Sequence, residues 1–230
     1  MPADAVSLHG VRKSFPLHGR GTLDVLDVDR LSIPAGGLTM LTGRSGSGKT
    51  TLLNLIAGIT LPTAGTVTVD DTDVAALPEA RRDRFRARHI GYVFQTFNLL
   101  SALSALENVM LAMMFSEAVP RSAQRRRAAD VLGRLGLGAR LSHTPAQLSR
   151  GEQQRVAIAR ALVNDPALIL ADEPCASLDA TTARGVLDEF LSVCREGRKT
   201  LLVVSHDAAA RSAADRVLDI ADVNRVAAGP

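Results

Sequence analysis

Lys49 and Thr50 close the run Gly43-Arg44-Ser45-Gly46-Ser47-Gly48-Lys49-Thr50, which fits the spacing G-x-x-x-x-G-K-[ST]. Glycines at these intervals let several backbone N–H groups converge on one spot, and a helix N-terminus adds the positive end of its dipole there. Such a loop cradles nucleotide phosphates. Lys49 supplies a mobile point charge for the β- and γ-phosphates, and Thr50 offers a hydroxyl to Mg2+. The elements that must hold this loop flank it. Leu38-Thr39-Met40-Leu41-Thr42 reads as a buried strand, and Thr51-Leu52-Leu53-Asn54-Leu55-Ile56-Ala57 reads as a helix. Gly43 through Thr51 therefore form the expected phosphate-binding set.

A second set of chemically capable residues lies downstream. Leu168-Ile169-Leu170-Ala171 is an aliphatic strand that delivers Asp172 and Glu173 at its end. A phosphate loop holding Mg-ATP needs one acid to orient the metal and another group to position the attacking water. Asp172 suits the first role and Glu173 the second; a solvated strand end is the plain alternative. Gln95 follows the strand Ile90–Phe94, where its amide oxygen can join the Mg2+ shell and sense the γ-phosphate. His206 follows Leu201–Ser205, either as a group aimed into the same crevice or as a hydrogen-bonded loop residue. In Leu148-Ser149-Arg150-Gly151-Glu152-Gln153-Gln154-Arg155, Ser149 and Glu152 have the spacing of a capping box. The helix that they open can also serve as an anion site for a phosphate held by another subunit.

The chain has 230 residues, 46% of them hydrophobic but only 3% aromatic, so its core must be aliphatic. The net charge of +3 is mild, with arginines concentrated in Arg81–Arg88 and Arg121–Arg134. These runs read as solvated helix faces or as a surface close to anionic lipid. Cys175 and Cys194 are the two cysteines, without C-x-x-C spacing, which argues against a disulfide framework or a zinc site. Met1-Pro2-Ala3-Asp4 does not open a secretory signal, and no apolar run approaches the ~20 residues of a membrane span.

Leu8–Phe15, Leu26–Ile33 and Thr66–Val69 read as strands of a partly antiparallel N-terminal β region, separated by Gly and Pro turns. From about Ser104 to Leu148 the pattern turns helical. Leu106, Val109, Met110 and Met113 share one face, and Arg121–Leu135 is a second amphipathic helix closed by Gly136 and Gly138. Strands resume at Leu168–Ala171 and Thr200–Val204. The expected fold is α/β: a P-loop NTPase core with a largely parallel sheet flanked by helices, an N-terminal antiparallel β region and an inserted α-helical subdomain. The expected domain is single over 1–230, with 1–100 and 155–230 as core and β region and 101–154 as helical subdomain.

Over essentially its full length the sequence resembles the ATP-binding subunits of ABC transporters. Leu148–Gln154 looks like that family's signature, usually Leu-Ser-Gly-Gly-Gln or Leu-Ser-Gly-Gly-Glu. The resemblance assigns Gln95 to the loop contacting a membrane partner and His206 to the γ-phosphate switch. It assigns Ser177-Leu178-Asp179 to a loop crossing the subunit interface, and Ser149, Arg150, Gly151 and Glu152 to the contact with the partner's ATP. Phe15 falls where the family places a ring stacking on adenine, the alternative being a strand-end core residue. Arg150 departs from the pattern, because glycine usually stands there.

Arg88–Leu100 together with Ala105-Leu106-Glu107-Asn108-Val109 is similar to the branch containing lipoprotein-release, macrolide-efflux and cell-division ATPases. That resemblance implies a head-to-tail homodimer sandwiching two Mg-ATP and engaged at the cytoplasmic face of the inner membrane with a permease, which is expected on a separate chain. A groove near Gln95 and Leu99–Met114 would accept a permease helix, with Met110, Met113 and Met114 as partner surface or core filler. A soluble ABC-type ATPase acting on nucleic acid is the competing reading. Coiled-coil insertions, zinc modules and tandem ATPase domains, which would mark it, are not visible in the sequence, and no nucleic-acid partner is expected.

Overall fold

A computed structural model describes residues 4–17, 19 and 21–226. Met1-Pro2-Ala3, read above for a leader, lies outside the described residues. Two compact units emerge: the described residues up to Arg82 with those from Leu202 onward, and Asp83–Leu201.

The first unit begins with strands β1 (Asp4–Pro16), β2 (Thr22–Pro34) and β3 (Gly37–Thr42), helix α1 (Lys49–Ile56), and strands β4 (Ala64–Val69) and β5 (Thr72–Asp73). Helix α2 (Glu79–His89) carries the chain into the second unit. That unit holds β6 (Ile90–Val93), α3 (Ala105–Met114), α4 (Arg121–Arg134), α5 (Arg150–Leu162), β7 (Leu168–Asp172) and α6 (Ala180–Glu196). Strand β8 (Thr200–Val204) leads back to α7 (Ala208–Ala213), β9 (Arg216–Asp219) and α8 (Ile220–Val223) in the first unit.

In the first unit the expected antiparallel region is a four-stranded sheet of order β2-β1-β4-β5. Alternation decides its inner face. Val6, Leu8, Leu31, Ile33, Val67 and Val69 are buried, and the register pairs Val6 with Ile33 and with Val69, and Leu8 with Leu31 and with Val67. Each fully buried aliphatic side chain contributes about 1.5–3 kcal/mol relative to leaving it in water. Beside this sheet, the strand order β8-β3-β9 carries the phosphate loop, with β3 parallel to β9. Helix α1 starts two residues earlier than its periodicity predicts, at Lys49, because the loop's last glycine already serves as its N-cap.

In the second unit the strand order is β6-β7-β8, with β6 parallel to β7 and Tyr92 abreast of Leu170. Every residue of β7 is buried, as a strand covered on both faces requires. Helix α6 buries Ala183, Val186, Leu187, Phe190, Leu191 and Cys194, one stripe at helical spacing. Burial pushes the Cys194 thiol up to about 12, so it packs as an inert apolar group.

The helical stretch resolves into α3, α4 and two short 3₁₀ turns, Gly138–Arg140 and Pro145–Gln147. Leu106, Val109 and Met113 are buried as their spacing predicts. Gly136 ends α4 in the left-handed region at φ 71°, with Leu137 N–H donating back to the Leu132 carbonyl. Gly138 does not share that task; it opens the first 3₁₀ turn instead. Strand β6 stops at Val93, one residue short of the expected Phe94. No helix among the described residues is long and apolar enough to cross a membrane.

Candidate functional site

The phosphate loop joins β3 to α1. Gly48 is the N-cap of α1 at φ 97°, a conformation that costs glycine nothing. A Cβ added there would also lie 2.9 Å from Leu26 Cδ2 and 3.0 Å from the Val25 carbonyl oxygen. No side chain caps this helix end, and its first turn carries no acid, so nothing within α1 neutralises its positive pole.

Lys49 is buried, and its ammonium donates to the carbonyls of Gly43 and Arg44, both at 2.8 Å. Ser47 Oγ donates to the same Arg44 carbonyl at 2.7 Å, which draws the loop into a tight turn. Arg44, Ser45, Gly46 and Thr50 stand exposed around it, and Thr51 is half-buried.

A residue absent from the sequence reading holds the loop from behind. Asn224, 1% exposed, donates to the carbonyls of Val25 at 3.0 Å and Ser47 at 3.1 Å, and accepts from Asp27 N–H at 2.9 Å. Its sequence neighbourhood gives no periodic or motif signal. Phe15 lies next to the end of β1 at 37% exposure, with Lys13 Nζ 4.8 Å from its ring centroid. This excludes the core role and leaves an accessible ring face. His206 is exposed in the turn between Ser205 and Asp207, where Asp207 N–H donates to Ser205 Oγ at 3.0 Å.

In the second unit, Asp172 is buried at the end of β7, and its charge adds to burial in raising the Tyr92 phenol above its ordinary pKa. Glu173 follows at φ 45°, in the left-handed region directly ahead of Pro174. A non-glycine residue there stores strain of order 1–3 kcal/mol. The side chain that this strain re-aims is a half-buried carboxylate.

Gln95 is exposed in the turn after β6. Phe94 stacks on Tyr92 with centroids 4.2 Å apart, and Arg160 donates to the carbonyls of Phe97 and Asn98. The sequence signal for Arg160 was a lone arginine in an aliphatic helical run.

Ser149 is the N-cap of α5, and the capping box is present. Glu152 N–H donates to Ser149 Oγ at 3.2 Å, and Ser149 N–H to Glu152 Oε2 at 2.8 Å. Arg140 adds a charged hydrogen bond to Glu152 at 2.8 Å, and this bond is the largest cause holding the Glu152 carboxyl down at about 2. Arg150 is exposed in the first turn, while Gly151 is buried. Asp179 caps α6 by accepting from Thr182 N–H at 3.0 Å, and hydrogen bonds from Thr182 lower its pKa.

The model of the family described as ABC transporter matches residues 26–176. The chain belongs to the ABC transporter family. The macrolide export ATP-binding/permease protein MacB of Rhodopirellula baltica is 45% identical over 218 residues, 94% of this chain and 32% of that protein. The chain thus spans about a third of the length of such relatives. The ABC transporter ATP-binding protein YvrO of Bacillus subtilis is 42% identical over 217 residues, 94% of this chain and 93% of that one. A dimeric structure of a post-hydrolysis state of the ATP-binding cassette MJ0796, bound to ADP and Pi, is 37% identical. It superposes with a TM-score of 0.85, covering 95% of this chain and 94% of that one. This ABC ATPase domain therefore has the cassette fold, α/β with an antiparallel N-terminal sheet and a parallel sheet with helices. It is an ATP-binding domain of the ABC transporter family.

Proposed function

We propose that this cassette binds and hydrolyses Mg-ATP, closes as a homodimer around two nucleotides, and so drives a membrane permease. The observation that carries the reading is the phosphate loop: a helix N-terminus with no capping side chain and no acid in its first turn, Gly48 at φ 97°, and a buried lysine folded onto the loop's own carbonyls. Two of the three ammonium protons of Lys49 fix its position, and the third is directed to a phosphate oxygen.

Gly43 to Thr51 hold the phosphates in this reading, and Phe15 stacks on the base. Mg2+ takes few protein ligands and completes its shell with phosphate and water. The oxygen donors of Thr50, Gln95 and buried Asp172 suit it, and the ion, when bound, neutralises charge on the phosphates. Glu173 orients the attacking water, and His206 hydrogen-bonds the γ-phosphate. Ser149, Arg150, Gly151, Glu152 and Asp179 meet the nucleotide held by the partner copy.

The dimeric MJ0796 cassette, reported with ADP and Pi, supports both the pairing and the hydrolysis. MacB, named an ATP-binding/permease protein, supports coupling to a permease and thus a place at the cytoplasmic face of the membrane. We take the chain as one ABC-type domain with a helical subdomain at about 101–154, a range that contains α3, α4 and both 3₁₀ turns. Met114 and Phe115, 63% and 70% exposed, support the groove near Leu99–Met114 as the permease-facing surface. Met113, by contrast, is core.

The test is the Glu173→Gln variant with Mg-ATP, followed by size-exclusion chromatography. A stable nucleotide-dependent dimer with stalled hydrolysis is expected, and Lys49→Ala should abolish nucleotide binding. Tight ATP binding by Lys49→Ala, or near-normal turnover by Glu173→Gln, would refute the assignment.

A further inference from the structure

Arg160 belongs to a helix whose neighbouring residues Val156, Ala157, Ile158, Ala159, Ala161 and Leu162 are all buried and aliphatic. Its guanidinium is partly withdrawn from water, and burial is the cause that lowers its pKa; no carboxylate among the described residues is paired with it. A charged group held this way is costly unless its hydrogen bonds are good. They are good: Nη1 donates to the Asn98 carbonyl at 2.6 Å and Nη2 to the Phe97 carbonyl at 2.9 Å.

Those carbonyls belong to the turn that presents Gln95. Its first shoulder is fixed by the Phe94–Tyr92 stack. Its far shoulder is fixed by fully buried Asn108, which accepts from Leu100 N–H at 2.8 Å and donates to the carbonyls of Leu100, Leu103 and Ser104. Between the shoulders lies an irregular segment. Asn98 is left-handed at φ 49°, and Thr96 Oγ1 donates to Asn98 Oδ1 at 2.9 Å. From α5, the tie to this middle part is the Arg160 fork.

We infer that Arg160 is the positioning residue of Gln95: its two hydrogen bonds set the height of the turn and so the reach of the Gln95 amide. The inference rests on the proposed role of Gln95 in the Mg2+ shell. Lysine cannot reproduce the arrangement, because one ammonium point charge does not match two carbonyls as a planar fork does.

The test uses the full chain with Glu173→Gln, so that binding is measured without turnover. Affinity for a fluorescent ATP analogue is titrated against Mg2+, and amide hydrogen exchange is followed over residues 96–99. Arg160→Met should raise the half-saturating Mg2+ concentration roughly tenfold, the scale seen when a group orienting a metal ligand is lost. It should also speed exchange in the turn while the melting temperature stays close to that of the parent. Arg160→Lys should fall between the two.

Gln95→Ala should show the same Mg2+ shift, and Arg160→Met on top of it should add little, since both act through one side chain. Additive effects, or an unmoved Mg2+ midpoint in Arg160→Met, would overturn the inference while leaving the role of Gln95 intact. An unmoved midpoint in Gln95→Ala alone would overturn that role and the inference with it.

Discussion

A Cβ built on Gly151 would lie 2.5 Å from Cγ2 of Thr182, so α5 and α6 meet where one residue has no side chain. The glycine of the signature-like segment is thus required by packing within the chain, whatever it does across an interface. Threonine is short and branched at Cβ, so its methyl group has little room to swing away. Gly151→Ala should destabilise by about 1–2 kcal/mol, an overpacking cost offset in part by alanine's better helix propensity. Adding Thr182→Ser, which removes that methyl but keeps the hydroxyl and the backbone N–H beside Asp179, should restore most of the loss. Thermal unfolding of the single and double variants checks this, and failure of the rescue would reject the contact as the cause.

Asn224 ties β2 to the phosphate loop from the C-terminal end of the described chain. Asn224→Ala would strand the Val25 and Ser47 carbonyls and the Asp27 N–H, each costing about 1–3 kcal/mol but not additively. A total near 3 kcal/mol, or roughly 6–12 °C in melting temperature, is expected for a domain of this size. Nucleotide affinity should fall further than the stability loss predicts, because Ser47 lies inside the loop. Calorimetric unfolding and fluorescent-nucleotide binding on the same samples separate the two effects.

Much of this architecture was legible in the residues. Alternating or aliphatic character in Leu8–Phe15 and Leu26–Ile33 found the antiparallel sheet, and the unbroken aliphatic run Leu168–Ala171 found the buried parallel strand. Glycine spacing found the phosphate loop. What escaped is what depends on tertiary proximity. Asn224 and Ser47 are 177 positions apart, and no local pattern marks a buried amide that serves distant carbonyls. Arg160 lay in plain view within an aliphatic helix, yet only the fold shows that its partners are Phe97 and Asn98. The strain at Glu173 is likewise invisible, since adjacent acids and a following proline do not specify a left-handed φ. Asp215 is a similar case: it accepts from Leu38 N–H at 2.7 Å across 177 positions.

Arg150, unlike its neighbour Gly151, is exposed, so no packing in the chain excludes or demands a side chain there. A cation in the first turn opposes the helix dipole, and its bulk stands where the family's glycine permits close approach to phosphate. Arg150→Gly should therefore hydrolyse ATP several-fold faster. Its stability should change little, because relief at the dipole offsets the roughly 1 kcal/mol propensity cost of glycine. Steady-state ATPase assays beside thermal melts decide it, and equal or lower turnover with an unchanged melting temperature would reject slowed closure by arginine.

Glu152 makes one part of the stability pH-dependent with a predictable sign. Its carboxyl is depressed from 4.5 to about 2, first by the Arg140 hydrogen bond and next by the Ser149 N–H. A depressed acid stabilises the fold fully above its unfolded value, and that contribution drains away as pH falls through the folded value. Glu152→Gln keeps the capping box, because glutamine serves that position too, but it cannot carry the charge that Arg140 meets. At pH 7 the variant should be less stable by up to about 1 kcal/mol, a figure restrained by the exposure of the pair. The gap should begin to close below 4.5 and vanish toward about 2. Urea midpoints of both proteins, measured at descending pH while each remains folded, report that convergence. A gap that stayed constant with pH would mean that the substitution acts through packing or capping, and that the Arg140–Glu152 charge contributes nothing to the fold.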